Sequence, residues 1–139
     1  MLVLFLTSDL VFPSRILGVL QSLRGRMETA ATADALLTKA AGIARGPMIV
    51  LIDLASSAAN VIEVVPKLKA LASAPAAIIA FGPHVHQEKL EAAKAAGCDL
   101  VLTRGQFDAQ YAVILKQLAA NNSTSDEPSG ISIQREAAD

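Results

Sequence analysis

The run Met48-Ile49-Val50-Leu51-Ile52-Asp53 constrains this chain more than any other stretch. It is apolar, rich in β-branched residues and without a helical stripe. An unbroken apolar run of this length is the mark of a strand covered on both faces, as central strands of parallel sheets are. Asp53 then falls at the C-terminal tip of that strand, where open α/β sheets place their chemistry. Two other runs end in the same way. Leu2-Val3-Leu4-Phe5-Leu6 leads into Thr7-Ser8-Asp9, and Ala77-Ile78-Ile79-Ala80-Phe81 leads into Gly82-Pro83-His84. Three strand tips meeting at one edge of a sheet make a candidate site.

Between these runs the residues fall at helical spacing. Ile16, Val19, Leu20 and Leu23 form one stripe after Pro13, a residue suited to a first helical turn. Ala33–Ile43 gives a second helix, with Thr32 or Asp34 near its start. A third is expected from about Ala58 to Leu71, kinked or broken at Pro66. Gln87–Ala96 is a fourth, with Leu90 and Ala93 inward and Gly97 as its left-handed stop. Phe107–Ala120 is the last, with Tyr111, Ile114, Leu115 and Leu118 as its stripe. Arg26–Ala30 reads as an edge strand and Leu100–Leu102 as a fifth strand. Five strand–helix units with right-handed crossovers predict a doubly wound α/β domain, a five-stranded parallel sheet in the order 2-1-3-4-5 with helices on both faces. That order sets the first and third strands side by side, and with them Asp9 and Asp53.

The 139 residues suit one domain, expected over 1–120, followed by a polar and flexible C-terminal tail over 121–139 in which Ile131 and Ile133 offer at most a short strand. Hydrophobic residues make up 53% of the chain and aromatics 4%, with no Trp, so the core must be built from aliphatic side chains and Ala. The net charge of −1 argues against a module held to nucleic acid by phosphate neutralisation. A single cysteine, Cys98, rules out a disulfide within the chain and is compatible with a cytoplasmic location; it is expected as a small buried hydrophobe. No apolar run is long enough to span a membrane, and Met1–Leu6 reads as a first strand, not a signal peptide.

With these elements in place, the chain resembles the receiver domain of two-component response regulators over roughly Leu2–Ala120. The residues that carry the resemblance are Val50-Leu51-Ile52-Asp53 and Ala92-Ala93-Lys94-Ala95-Ala96-Gly97-Cys98-Asp99. The resemblance implies a flavodoxin-like fold and a site at the strand tips. In that family an acidic pair ends the first strand, a phosphoryl-accepting Asp the third, a Ser or Thr the fourth and a Lys-Pro the fifth. The pair and the Asp hold Mg²⁺. Carried onto this chain, the acidic pair becomes Ser8-Asp9, with Asp9 at the member that touches the metal. Asp53 falls on the phosphoacceptor, Gly82 on the hydroxyl position and Arg104-Gly105 on the Lys-Pro.

Each substitution has a chemical consequence. Asp9 and Asp53 supply the two carboxylates that Mg²⁺ commonly takes from protein. Ser8 offers a hydrogen bond but no charge. Arg104 offers a planar fork to a phosphoryl oxygen in place of an ammonium. Gly82 offers no hydroxyl, and no aromatic lies near Leu100–Thr103 to move with one. The expected function is therefore a receiver-like signalling domain, not an enzyme, that acts through protein–protein contacts, with Asp53 as candidate phosphoacceptor. The alternatives are an atypical Mg²⁺-dependent phosphoacceptor, or a module binding an anion or small molecule at the strand tips. In the bland reading, Asp53 caps loops or pairs with Arg104 or Arg15. The expected contact face is Gln87–Ala96, Leu100–Leu102 and Phe107–Ala120, with Lys89, Lys94 and Lys116 at its rim and a homodimer as one use of it.

Other features point to less. His84 and His86 resemble a metal pair only if the segment is extended and a third ligand such as Asp53 or Glu88 joins them; as solvated loop or cap residues they need no such role. Gly82–His86 precedes a helix whose free N–H groups suit an anion. There is no GxGxxG and no P-loop. Val11 and Phe12 either plug the site, form a docking patch or pack on the first helix.

Overall fold

The computed structural model describes residues 1–43, 47–56 and 60–123. Strands and helices alternate: β1 Leu2–Leu6, α1 Phe12–Ser22, β2 Arg26–Ala30, α2 Ala33–Ala41, β3 Met48–Asp53, α3 Val61–Lys69, β4 Ala77–Gly82, α4 Gln87–Ala96, β5 Leu100–Thr103 and α5 Arg104–Ser123. All pairings are parallel and the sheet order is β2-β1-β3-β4-β5, the order expected of a doubly wound domain with five strand–helix units. The register aligns Leu6 with Ile52 and Asp53 with Phe81, so β1, β3 and β4 end at one lip.

The strands sort their side chains by parity, because successive residues point to opposite faces. Leu2, Leu4, Leu6, Met48, Val50, Ile52, Ile78 and Ala80 pack against α2, α3 and α4. Val3, Phe5, Ile49, Leu51, Ile79, Phe81, Leu100 and Leu102 pack against α1 and α5. β1, β3 and β4 are buried throughout, whereas β2 is largely exposed, as an edge strand is. The chain's few aromatics, four Phe and one Tyr, all gather on the α1/α5 side. Phe81 and Phe107 stack with centroids 4.2 Å apart, and Phe12 stands edge-on to Phe81 at 5.7 Å and to Phe107 at 5.6 Å.

Local signals explain several element ends. The Thr32 hydroxyl accepts from the Ala35 amide at 3.0 Å and starts α2. Gly97, at φ 108°, ends α4 in the left-handed region that glycine alone enters without strain. Two expectations need correction. α3 runs unbroken through Pro66, whose ring sits on the exposed face, so the break allowed for there is absent. α5 starts at Arg104, not Phe107, because Thr103 and Gln106 form a reciprocal capping box. The Thr103 amide donates to Gln106 Oε1 at 2.9 Å and the Gln106 amide donates to Thr103 Oγ1 at 3.1 Å. Strand β5 therefore passes into α5 with no loop, and α5 continues past the expected boundary at Ala120. The expected start of α3 at Ala58, and the tail beyond Ser123 with Ile131 and Ile133, lie outside the described residues.

Candidate functional site

Parity brings Thr7 and Asp53 together. Thr7 follows Phe5 by two and Asp53 follows Leu51 by two, so both point to the α1/α5 side from neighbouring strands. The Thr7 hydroxyl donates to Asp53 Oδ2 at 2.7 Å, and the Ala55 amide donates to Asp53 Oδ1 at 3.0 Å. Both carboxylate oxygens are thus bonded within the protein, and Asp53 is only 4% exposed. A buried carboxylate needs such donors, since an unpartnered one is costly.

Thr7 also accepts from the Asp9 amide at 3.0 Å, which ties the β1–α1 turn to the tip of β3. The Asp9 carboxylate turns back on its own loop. Its Oδ1 accepts from the amides of Val11 at 2.8 Å and Phe12 at 3.3 Å, which holds the start of α1. These two N–H groups keep the Asp9 carboxyl below its ordinary value of 3.8, and the Arg104 charge acts in the same direction.

Arg104, the first residue of α5, donates from Nη2 to Asp9 Oδ2 at 3.4 Å. Its guanidinium lies 4.8 Å from the Phe12 ring centroid and 5.8 Å from that of Phe81. The aromatic cluster thus forms a platform under the cation. Asp9 and Asp53 do meet at one lip, linked through Thr7. Of the two plainer roles expected of Asp53, it takes the loop-capping one, through the Ala55 amide; Arg104 pairs with Asp9 instead, and Arg15 with Asp108 at 3.1 Å.

Gly82 ends β4 opposite Thr103. A Cβ built there would meet the Leu54 Cβ at 3.0 Å. The Leu54 amide donates to the Phe81 carbonyl at 2.8 Å, so Leu54 is held by its own main chain against the Gly82 backbone. The side of β4 where a hydroxyl-bearing residue would stand is already filled. Ser8 is exposed at the rim.

Phe12 packs into the core while Leu10 and Val11 stay exposed, so Phe12 is a packing residue and Val11 plugs nothing. His84 and His86 are exposed on a turn in which the His86 amide donates to the Pro83 carbonyl at 2.9 Å. The described residues hold no group of three His, Cys, Asp or Glu able to bind a metal. Cys98 is half-buried, and burial, with Asp99 beside it, pushes its thiol up to about 12. No described helix is long and apolar enough to cross a membrane.

The strand order, the shared lip and the helices on both faces find close counterparts among solved structures. The receiver domain of a sensor histidine kinase from Pseudomonas aeruginosa, with magnesium coordinated in its active-site cleft, superposes with a TM-score of 0.69 at 19% identity, covering 86% of this chain and 97% of that one. This chain has the receiver fold. A chemotaxis response regulator of Vibrio cholerae gives a TM-score of 0.65 at 19% identity, covering 85% of this chain and 97% of its own. The receiver domain of a Saccharomyces cerevisiae response regulator, co-crystallised with its histidine phosphotransfer signalling protein, gives 0.65 at 15% identity over 92% of each chain. No protein-family profile and no curated protein matches the sequence.

Magnesium is coordinated in the cleft of the first of these receiver folds, whereas here every carboxylate oxygen at the lip carries at least one donor from the protein. Asp9 spends Oδ1 on two amides and Oδ2 on a guanidinium, and Asp53 has a donor on each oxygen. A divalent ion reaching Asp9 Oδ2 would compete there with Arg104.

Thr7 is the residue that sequence reasoning passed over. Its signal was available, since counting by twos along β1 and β3 puts it beside Asp53. The Arg104–Asp9 pair, 95 positions apart, had no local signal beyond two opposite charges at two strand tips.

Proposed function

We propose that this chain is a receiver-fold signalling domain that acts through protein–protein contacts and takes no phosphoryl group on Asp53. The observation that carries the proposal is the closed hydrogen bonding of Asp53, buried with both oxygens occupied. A nucleophilic carboxylate must be reachable by the phosphoryl donor and needs a cation beside the incoming group, and each bond from the protein competes for its lone pairs. Here the oxygens are engaged and the nearby cation is spent on Asp9. Gly82 supplies no hydroxyl, and β5, Leu-Val-Leu-Thr, supplies no aromatic to follow one.

In this reading Asp53, Thr7 and Asp9 hold the β1–α1 turn, and α5 is fixed to that turn through Arg104. The contacts that carry a signal leave through α4, β5 and α5, where a cavity of about 210 Å³ lies between Leu90, Lys94, Val101 and Gln106. That face suits a protein partner or a second copy of the chain.

The test is intact mass after incubation with acetyl phosphate and Mg²⁺, comparing wild type with Asp53→Asn. The proposal expects the same spectrum for both. An added phosphoryl group on wild type that Asp53→Asn abolishes would restore the phosphoacceptor reading.

A further inference from the structure

The geometry points to the N-terminal end of the sheet as a docking surface for this chain's own acidic segment, residues 124–139. That end lies opposite the lip. Leu2, Arg26, Met48 and Ala77 begin their strands there, and the helices that follow the strands return to it. Exposed cations gather at this end. Arg24 and Arg26 lie in the link from α1 into β2, and Lys67 and Lys69 close α3. None of them has an ion-pair partner among the described residues. Asp99, just before β5, spends Oδ2 on the Ile78 amide at 2.7 Å. Lysines in the last turn of α3 also face its free carbonyls; Arg26, inside a strand, has no such use. Arg24 stands at φ 59°, the one non-glycine residue in the left-handed region among the described residues, although Gly25 is its neighbour. A Cβ is crowded there by the following carbonyl, so the turn holds a cation where a glycine would be the easier choice.

The last helix delivers the partner. α5 has 20 residues, about 30 Å, and starts at the lip, whereas the 6 residues of β3 span about 20 Å. α5 therefore outruns the sheet and brings Ser123 out at the basic end. Residues 124–139 carry Asp126, Glu127, Glu136 and Asp139 against Arg135. Asp126 and Glu127 follow Ser123 closely and lie within reach of the link through Arg24 and Arg26, since α1 packs beside α5. The whole stretch extends to roughly 50 Å, enough to cross the end of the domain to α3 on the other face of the sheet. Lys69 marks that far side: a Cβ built on Gly97 would meet its Nζ at 3.1 Å, so it lies across the end of α4. A tethered segment faces its own surface at an effective concentration of about millimolar, so exposed ion pairs that are weak one by one suffice together. Any other polyanion reaches these cations only by displacing the segment. The surface is separate from the lip, and the inference stands whatever becomes of Asp53.

The experiment is paramagnetic broadening of amide resonances in the full chain, with a nitroxide on Ser132→Cys in a Cys98→Ala background. At about 0.01 M salt, where charges are felt over about 30 Å, the amides of Arg26, Lys69 and Gly97 should broaden while those of Thr7, Ala55 and Gly82 stay sharp. At about 1 M salt, where that range is about 3 Å, the broadening at Lys69 and Gly97 should fall roughly fivefold or more. It should fall as far at low salt when Asp126→Asn, Glu127→Gln, Glu136→Gln and Asp139→Asn are combined. Arg24→Glu with Arg26→Glu should weaken it, and adding Asp126→Lys with Glu127→Lys should restore it. Sharp Lys69 and Gly97 resonances at low salt overturn the inference. So does equal broadening in the charge-neutral variant, which would assign the contact to apolar residues. So does broadening that fades on dilution, which would place the segment on a second copy. Should Cys98→Ala lose its fold, carbodiimide coupling of the natural chain gives the same answer: Lys67 or Lys69 should be joined to Glu136 or Asp139 within the monomer, and the absence of such a link overturns the inference.

Discussion

Gly82→Ala is the substitution whose outcome the structure determines most sharply. The added Cβ would lie 3.0 Å from the Leu54 Cβ, where ordinary carbon contacts are about 3.5–4.0 Å. Neither atom is the far end of a flexible chain. Gly82 is fixed by its pairing with Thr103 in β5, and Leu54 by its amide on the Phe81 carbonyl at 2.8 Å. Relief needs a backbone shift at the sheet tip, and overpacking of this kind costs about 1–3 kcal/mol. The alanine restricts the unfolded chain and returns about 0.4–1 kcal/mol. The net loss is then roughly 1–2 kcal/mol, a fall in Tm of roughly 2–8 °C for a domain of this size. Gly18→Ala is the matched control. Gly18 is exposed inside α1 with nothing within 4 Å of an added Cβ, and the same change there should stabilise by about 0.5–1 kcal/mol. Urea unfolding of both variants decides the matter, read as the midpoint at constant slope. Gly82→Ala as stable as wild type would show that the Leu54 side of β4 has room, and the argument against a side chain at the hydroxyl position would fail.

Three further outcomes are expected. Thr7→Val keeps the shape but removes the 2.7 Å donor to buried Asp53 Oδ2, and should cost about 1.5–3 kcal/mol in urea unfolding; a change within experimental scatter would mean the hydroxyl does not hold Asp53. The depressed Asp9 carboxyl contributes stability that is complete above its ordinary 3.8 and fades as pH falls through the lower folded value, because protonation then releases the Val11 and Phe12 amides and Arg104. Acid titration of wild type against Asp9→Asn should therefore show a stability gap at neutral pH that narrows in that window; a gap that persists at lower pH would point to another cause. Cys98, with its thiol pushed up to about 12 from 9.0, should react with iodoacetamide on the order of a thousandfold more slowly folded than unfolded at pH 8, and equal rates would contradict its burial.

The sheet was legible because its strands are short apolar runs that end in polar residues, and right-handed crossovers between alternating strands and helices leave few orders open. Gly97 was legible because one residue type solves one backbone problem. Pro66 did not break its helix, since it sits on the exposed face of α3. The start of α5 was placed late because Thr103 and Gln106 read as the end of a strand and the opening of a helix, yet each caps the other. The site was half legible. Asp9 and Asp53 followed from the strand tips, and Arg104 from the resemblance, which sets it at the family's Lys-Pro position. Which partner each would choose did not follow, because pairing depends on where a guanidinium comes to rest over Phe12 and Phe81, brought together from separate elements. The crowding of Gly82 by Leu54 is likewise a contact between the end of β4 and the turn after β3, and leaves no mark in either segment.

Amide NMR spectra with Mg²⁺ and beryllofluoride, a mimic of a carboxylate-bound phosphoryl group, test the sealed lip most directly. Thr7, Asp9, Asp53, Ala55 and Gly82 should keep their resonance positions at saturating concentrations of both. A second set of peaks for these residues, growing in with the mimic and absent in Asp53→Asn, would contradict the account.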